Sequence, residues 1–265
     1  MSAQPLAAIT DLARKCGYDG LDISADLFAK GPPPHIVIQD SVDLVARTRR
    51  SIAGVAPGAS SLSANTYLVR EDPQEAAIAI EHVRHVIDLA QALRIPFVHV
   101  FTGRAPPTMD SDVAWRHLAE TLGGLCDYAG SRGVRVGIEG CVVHFVRSLE
   151  EHRRLFSMLP GVDLRVCFDP SHVYLHGESV FEAAEALVDR ISLVHVKDAA
   201  GTARQFTLPP IGRGDMPWPE LLHQLQALGY RGGYALEYEA RGYGWLEDDE
   251  TILASGRAFL AAHGI

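Results

Sequence analysis

The sequence predicts an α/β fold of the TIM-type (β/α)8 barrel class, formed by a single domain that spans residues 1–265. Short runs of β-branched residues alternate with longer amphipathic segments, which is the pattern of parallel strands joined by helical crossovers. The chain has 265 residues and is 47% hydrophobic, so it is long enough to bury one large core. No linker rich in Gly, Ser or Pro divides it. We therefore expect one continuous barrel.

Seven segments have the composition of barrel strands, and their spacing leaves room for a helix in each crossover. These predicted strands cover residues 20–23, 55–62, 97–101, 134–139, 164–169, 191–196 and 234–239. An eighth strand is expected before the first amphipathic segment, 6–16, but too few residues precede that segment. The first strand is therefore predicted to be missing or truncated. This would leave two strand edges to be covered by another segment or by a partner chain, as in a homodimer.

Helix signals occupy the intervals between the predicted strands. Asp72 followed by Pro73 predicts a helix start, because an N-cap carboxylate and a proline at the first helical position are both favoured there. This helix is predicted to continue to Leu93. Another is predicted over residues 219–228, where Gly229 ends it.

The charge and the cysteine content restrict the class of function. A net charge of -9 disfavours nucleic acid as a partner, because proteins that bind it usually present a basic face. The basic cluster of Arg47, Arg49 and Arg50 is interpreted as a solvated helix face. The four cysteines form no CxxC pair, which is typical of a reduced, cytoplasmic protein. Neither a leader nor a membrane span is indicated. We expect a cytoplasmic protein that acts on a small molecule.

Four of the predicted strands carry residues of metal-binding type at their carboxyl ends, which is where catalytic groups lie in parallel α/β barrels. Period-two alternation points these residues into the barrel. Three inward carboxylates would repel one another unless a cation lay between them. Such ligands suit one divalent ion, with Mn²⁺, Mg²⁺ or Co²⁺ favoured and Zn²⁺ a further candidate. The residues are Glu139, Asp169, His195 and Glu237.

Each of these residues also has an ordinary structural interpretation. A single carboxylate at a strand end more often caps a helix or pairs with an arginine. Lys197 either contacts the substrate or pairs with the neighbouring Asp198. Arg241 follows the last strand, in a loop that either contacts the substrate or packs on the final helix. His99, inside the third predicted strand, is interpreted as structural.

The motifs GVRVGIEG, FDPSH, LVHVKD, IGRGDMPW and GGYALEYEARGYGW together resemble the sugar phosphate isomerase/epimerase family of xylose isomerase-like barrels. The resemblance covers nearly the whole chain and implies that His172 contacts a substrate oxygen. Relatives that epimerise free ketohexoses carry an arginine shortly after the metal-binding histidine. Here the first arginine is Arg204, which counts against a simple ketohexose. The four residues that the resemblance assigns to one metal are Glu139, Asp169, His195 and Glu237.

The resemblance implies a divalent-metal-dependent sugar isomerase or epimerase that acts on a ketose or a related polyol ketone. The metal would stabilise the enediolate that forms when the proton next to the carbonyl leaves. Glu139 and Glu237 would remove and return that proton. Two alternatives stay open at this point. One is a dehydratase or lyase on an inosose-like cyclic ketone, with acid help from His172 or Lys197, and the other is a catalytically silent sugar-binding paralogue.

Overall fold

The computed structural model describes residues 4–27, 34–38, 43–56, 58 and 60–265. The chain divides into two compact units, of which the first contains Met1–Glu139 and Arg153–Arg165 and the second contains Gly140–His152 and Val166–Ile265. In the described part of the chain there are seven strands in parallel pairing, one fewer than the eight of a complete barrel. No strand precedes the first helix among these residues, as the sequence predicts.

The first unit alternates helices and parallel strands. Its helices are α1 (Leu6–Lys15), α2 (Leu44–Ser51), α3 (Pro73–Leu93) and α4 (Ser111–Gly130). Its strands are β1 (Asp22–Ser24), β2 (Ser61–Ser63), β3 (Phe97–Phe101) and β4 (Arg135–Glu139), each hydrogen-bonded to the next. The register of the last pair sets Phe101 beside Glu139. The carboxyl ends of β3 and β4 therefore lie side by side.

After β4 the chain forms α5 (Leu149–Met158) and then β5 (Arg165–Phe168). The strands that follow are β6 (Ile191–Val196), β7 (Ala200–Thr202), β8 (Gln205–Thr207) and β9 (Gly233–Leu236). The helices that follow are α6 (Pro170–His176), α7 (Val180–Leu187), α8 (Trp218–Ala227), α9 (Ala240–Tyr243) and α10 (Asp249–Ala262). In the second unit β5, β6 and β9 pair in parallel, and β7 and β8 form an antiparallel hairpin. Register places His195 of β6 beside Ala235 of β9.

A strand is found at each of the seven predicted positions, and five of the seven are shorter than expected. The strands at Phe97–Phe101 and Ile191–Val196 have the predicted bounds. The strand expected over 55–62 begins only at Ser61, and the sequence before it contains Pro57 and Gly58, which disfavour a sheet ladder. The strand expected to reach residue 239 ends at Leu236.

Helix signals in the sequence are confirmed by the hydrogen bonds at the helix ends. α3 begins as predicted, because the Asp72 carboxylate accepts a hydrogen bond from the Gln74 amide at 2.8 Å. The basic cluster on α2 is solvent-exposed, as expected of a solvated face. Among the described helices, none is both long and apolar enough to cross a membrane.

The N-cap of α3 gives a direct test of local stability. Replacing Asp72 with alanine should lower the free energy of unfolding by about 1 kcal/mol, because the Gln74 amide loses its acceptor. Asp72→Asn keeps an acceptor oxygen and should stay close to the wild type. Equilibrium urea unfolding of the two variants measures the difference. Equal stability of both would show that this cap contributes nothing.

Candidate metal centre

In the second unit, Asp169 directly follows β5 and has two separate roles. Its carboxylate caps α6, because Oδ1 accepts hydrogen bonds from the Ser171 amide at 2.9 Å and from the Ser171 hydroxyl at 2.6 Å. The capping interpretation of this carboxylate is therefore correct for one oxygen. The other oxygen, Oδ2, lies 2.7 Å from the Nζ of Lys197. Asp169 can thus start the helix and still offer an oxygen to a cation.

His195 and Glu237 come from adjacent strands of the same unit. The backbone amide of Glu237 donates to the Val196 carbonyl at 3.1 Å, so the pairing of β9 with β6 extends one residue beyond the strand. This places Oε2 of Glu237 3.0 Å from Nδ1 of His195. The imidazole is buried, whereas the Glu237 side chain keeps 34% of its surface exposed. Glu237 is therefore the member of this pair that solvent reaches.

Lys197 supplies a buried positive charge among these carboxylates. Its side chain is 3% exposed, and its Nζ lies 2.7 Å from Asp169 Oδ2 and 3.1 Å from Glu237 Oε2. A third carboxylate, that of Glu239, lies at 4.0 Å. Burial makes unbalanced charge costly, so the ammonium offsets part of the repulsion between Asp169 and Glu237.

The donors present in the second unit fit a divalent cation. Asp169, His195 and Glu237 each offer a ligand atom, and these atoms lie within 4.8 Å of one another. Two carboxylates and one imidazole are the donor types that Mg²⁺ and Mn²⁺ accept, and the set contains no thiolate. These residues could therefore hold a divalent metal ion, as the sequence predicts.

His172 lies beside this set, one turn along α6. Its Nε2 is 3.5 Å from Asp169 Oδ2, and the residue is buried. An imidazole at this distance can donate a hydrogen bond to an oxygen atom that approaches Asp169. Its contact with substrate stays a prediction.

Aromatic side chains surround the segment that follows β9. Tyr238 and Trp245 stack with ring centroids 6.0 Å apart, and Tyr243 lies 6.5 Å from Phe206 of the hairpin. Burial raises the pKa of the Tyr243 hydroxyl, and the charge of Glu239 adds to the rise.

The backbone of Arg241 belongs to α9, but its side chain lies outside the described part of the chain. Its predicted contact with substrate stays a prediction.

Asp198 has a structural role next to Lys197. It is buried, and its carboxylate accepts hydrogen bonds from the backbone amides of Ala199 at 2.9 Å, Gly212 at 2.8 Å and Gly214 at 2.9 Å. A side chain at position 214 would collide with the Asp198 carboxylate, which explains that glycine. Asp198 therefore ties the loop between β8 and α8 to the end of β6, through the amides of Gly212 and Gly214.

In the first unit, Glu139 ends β4 and is buried. Its Oε2 lies 3.2 Å from Nδ1 of His99, and Nε2 of His99 lies 3.0 Å from Oδ2 of Asp22. From the sequence, His99 is interpreted as structural and Asp22 has no assigned role. Both occupy the inward-pointing parity of their strands, and that parity is the signal that could have found them.

A scan against protein families identifies the fold. The chain belongs to the xylose isomerase-like TIM barrel family, whose model matches residues 10–263. This confirms both the resemblance and the fold class predicted from the sequence. The chain is also 24% identical over 236 residues to a fructoselysine 3-epimerase of Shigella flexneri, an alignment that covers 85% of this chain and 82% of the relative.

Two solved structures share this fold at low sequence identity. A D-psicose 3-epimerase with D-tagatose, from Clostridium cellulolyticum H10, superimposes with a TM-score of 0.79 at 15% identity, covering 97% of this chain and 92% of that one. A xylose isomerase-like TIM barrel protein from Mycobacterium smegmatis, in complex with magnesium, has a TM-score of 0.72 at 15% identity, covering 99% and 90%. At this identity the likeness establishes the fold alone.

The buried ammonium gives a second stability test. Lys197→Met keeps most of the apolar stem but removes the charge beside Asp169. In the presence of EDTA, we expect the free energy of unfolding to fall by about 3 kcal/mol, because one partner of a buried ion pair is lost. The control Lys15→Met changes an exposed lysine of α1 and should stay within about 0.5 kcal/mol of the wild type. A Lys197→Met protein as stable as the control would contradict the role assigned to Lys197. Urea unfolding of both variants provides the comparison.

Proposed function

We propose that this protein is a divalent-metal-dependent sugar epimerase or isomerase that acts on a ketose or a related polyol ketone. The observation that carries the proposal is the compact donor set of Asp169, His195 and Glu237, whose ligand atoms lie within 4.8 Å of one another. Membership of the xylose isomerase-like family and the similarity to a fructoselysine 3-epimerase support it.

Glu139 is the fourth metal ligand in this proposal. Its position supports this role, because Glu139 ends β4 as Asp169 follows β5, and active sites of such barrels form at the carboxyl ends of strands. Its burial also favours a role near a cation, since an ionised carboxylate away from water needs positive charge nearby. The family resemblance assigns the same residue to the metal.

A divalent ion, Mn²⁺, Mg²⁺ or Co²⁺, would supply the positive charge that makes the carbon beside a substrate carbonyl more acidic. Asp169 and His195 hold this charge in place. Glu237, with its partly exposed carboxylate, removes a proton from the substrate carbon, and Glu139 returns one. His172 and Lys197 donate hydrogen bonds to substrate oxygens, and Arg241 is a further candidate for substrate binding.

The cysteines support the proposal of a cytoplasmic location. The four cysteines of the sequence, Cys16, Cys126, Cys141 and Cys167, include no CxxC pair, which fits a reducing compartment. Burial raises the pKa of the Cys126 thiol to about 12, so this cysteine stays protonated and inert at neutral pH.

Proton exchange tests the proposed chemistry without knowledge of the exact substrate. The protein, loaded with Mn²⁺, is incubated in D₂O with fructoselysine, D-tagatose, D-psicose, ketose phosphates and inososes, and deuterium incorporation is followed by NMR. We expect deuterium at the carbon next to the carbonyl of at least one ketose, and none after treatment with EDTA. The appearance of an α,β-unsaturated ketone would instead identify a dehydratase. Absence of both, together with an absence of bound metal by mass spectrometry, would contradict the enzyme proposal.

Two carboxylate variants test the assignment of the proton-transfer groups. Glu139→Gln and Glu237→Gln should each lower the exchange rate by about 100-fold or more, because an amide can neither remove nor return the substrate proton. Glu220→Gln changes an exposed glutamate of α8 and should leave the rate unaltered. Full exchange by either of the first two variants would refute the role assigned to that residue. The rates are measured in D₂O with the substrate found by the screen.

A further inference from the structure

The first unit contains a chain of polar side chains, all buried except the half-buried Asp22, that ends at Glu139. From Glu139 Oε2 the chain runs 3.2 Å to His99 Nδ1, and from His99 Nε2 it runs 3.0 Å to Asp22 Oδ2. The other oxygen of Asp22 accepts a hydrogen bond from the Ser61 hydroxyl at 2.6 Å. Four side chains from all four strands of the unit therefore meet in one line. Those strands are β1, β2, β3 and β4.

We propose that His99 is a positioning residue for Glu139, and that Asp22 holds the His99 ring in the orientation this requires. The inference rests on the proposed function, because it assigns to His99 the task of orienting a carboxylate that binds the metal and transfers a proton. In this proposal His99 contacts Glu139 and binds neither the metal nor the substrate.

The orientation of the ring is set at both of its nitrogen atoms. His99 is 1% exposed, so water cannot replace either contact easily. Turning the ring over would set carbon atoms against both carboxylates. Phe97 stacks on the ring with centroids 6.0 Å apart, which further restricts its rotation. Asp22 is itself held by Ser61, so the geometry at Glu139 is fixed by residues outside the metal set.

Two neighbouring residues show what purely structural groups look like in this unit. The buried His82 places Nε2 2.7 Å from a backbone carbonyl, that of Ala25, and burial lowers its pKa. Asp26 accepts hydrogen bonds from the Ser24 and Ser63 side chains and from the Asn65 amide. Each of them satisfies local groups of the chain. His99 differs because it links two carboxylates, and one of them, Glu139, lies at the carboxyl end of β4.

Replacing a residue that orients a metal ligand typically lowers metal affinity or activity by about 10- to 100-fold. We therefore expect His99→Phe, which keeps a planar ring without hydrogen bonds, to weaken Mn²⁺ binding by about 10- to 100-fold. His99→Asn keeps an amide that can reach Glu139 and should recover part of the affinity. Asp22→Asn keeps the size of the side chain and should give a smaller loss.

The experiment is a titration with Mn²⁺ followed by electron paramagnetic resonance, which reports free Mn²⁺ and the symmetry of the bound ion. His82→Asn serves as the control, because it alters a buried histidine of the same unit that the proposal leaves out of the chain. It should lower stability and leave the Mn²⁺ dissociation constant unchanged. Circular dichroism checks the fold of every variant, and if His99→Phe does not fold, Asp22→Asn decides the question.

Weakened Mn²⁺ binding and an altered spectrum in the His99 and Asp22 variants, with the His82 control unaffected, would support the inference. Wild-type affinity and spectrum in the folded His99 or Asp22 variants would overturn it and leave the proposed function intact. A wild-type protein that binds no Mn²⁺ would overturn the proposed function and the inference with it.

Discussion

The buried negative charge at the carboxyl ends of the strands is the constraint on which the rest of this structure depends. In the second unit, the Asp169 side chain is buried and that of Glu237 is half-buried, and the ammonium of Lys197 lies within 3.1 Å of both. A lysine is seldom buried unless it is paired. Its placement among carboxylates shows that the fold requires positive charge here. The proposed divalent ion would be a second cation, after Lys197, that offsets this negative charge.

Much of the surrounding architecture serves to hold these groups in place. One carboxylate oxygen of Asp169 caps the start of α6, and this contact fixes the direction of the other oxygen. Asp198 accepts hydrogen bonds from the amides of Ala199, Gly212 and Gly214, and so holds the end of β6 next to Lys197. In the first unit, His99 and Asp22 do for Glu139 what helix capping does for Asp169. In each case one carboxylate oxygen has a close polar contact, with the Ser171 amide for Asp169 and with His99 for Glu139, and the other oxygen is left for other partners.

The sequence predicted the fold class and the strands that carry the candidate ligands, because alternation and strand-end position follow from local chemistry. It could not predict the contact of Lys197 with Glu237, 40 positions away in sequence, since side-chain reach depends on register between strands. His99 was interpreted as structural because a single buried histidine carries no sign of its partners. Its link to Asp22 spans 77 positions and became visible only in the folded chain.

Anomalous diffraction from crystals grown with Mn²⁺ tests the central claim most directly. The account predicts a single strong peak at the manganese edge, within coordination distance of Asp169, His195 and Glu237. It also predicts that Glu139 completes the coordination. A saturating concentration of Mn²⁺ that leaves no peak at these residues, with Lys197 as the sole cation beside Asp169, would contradict it.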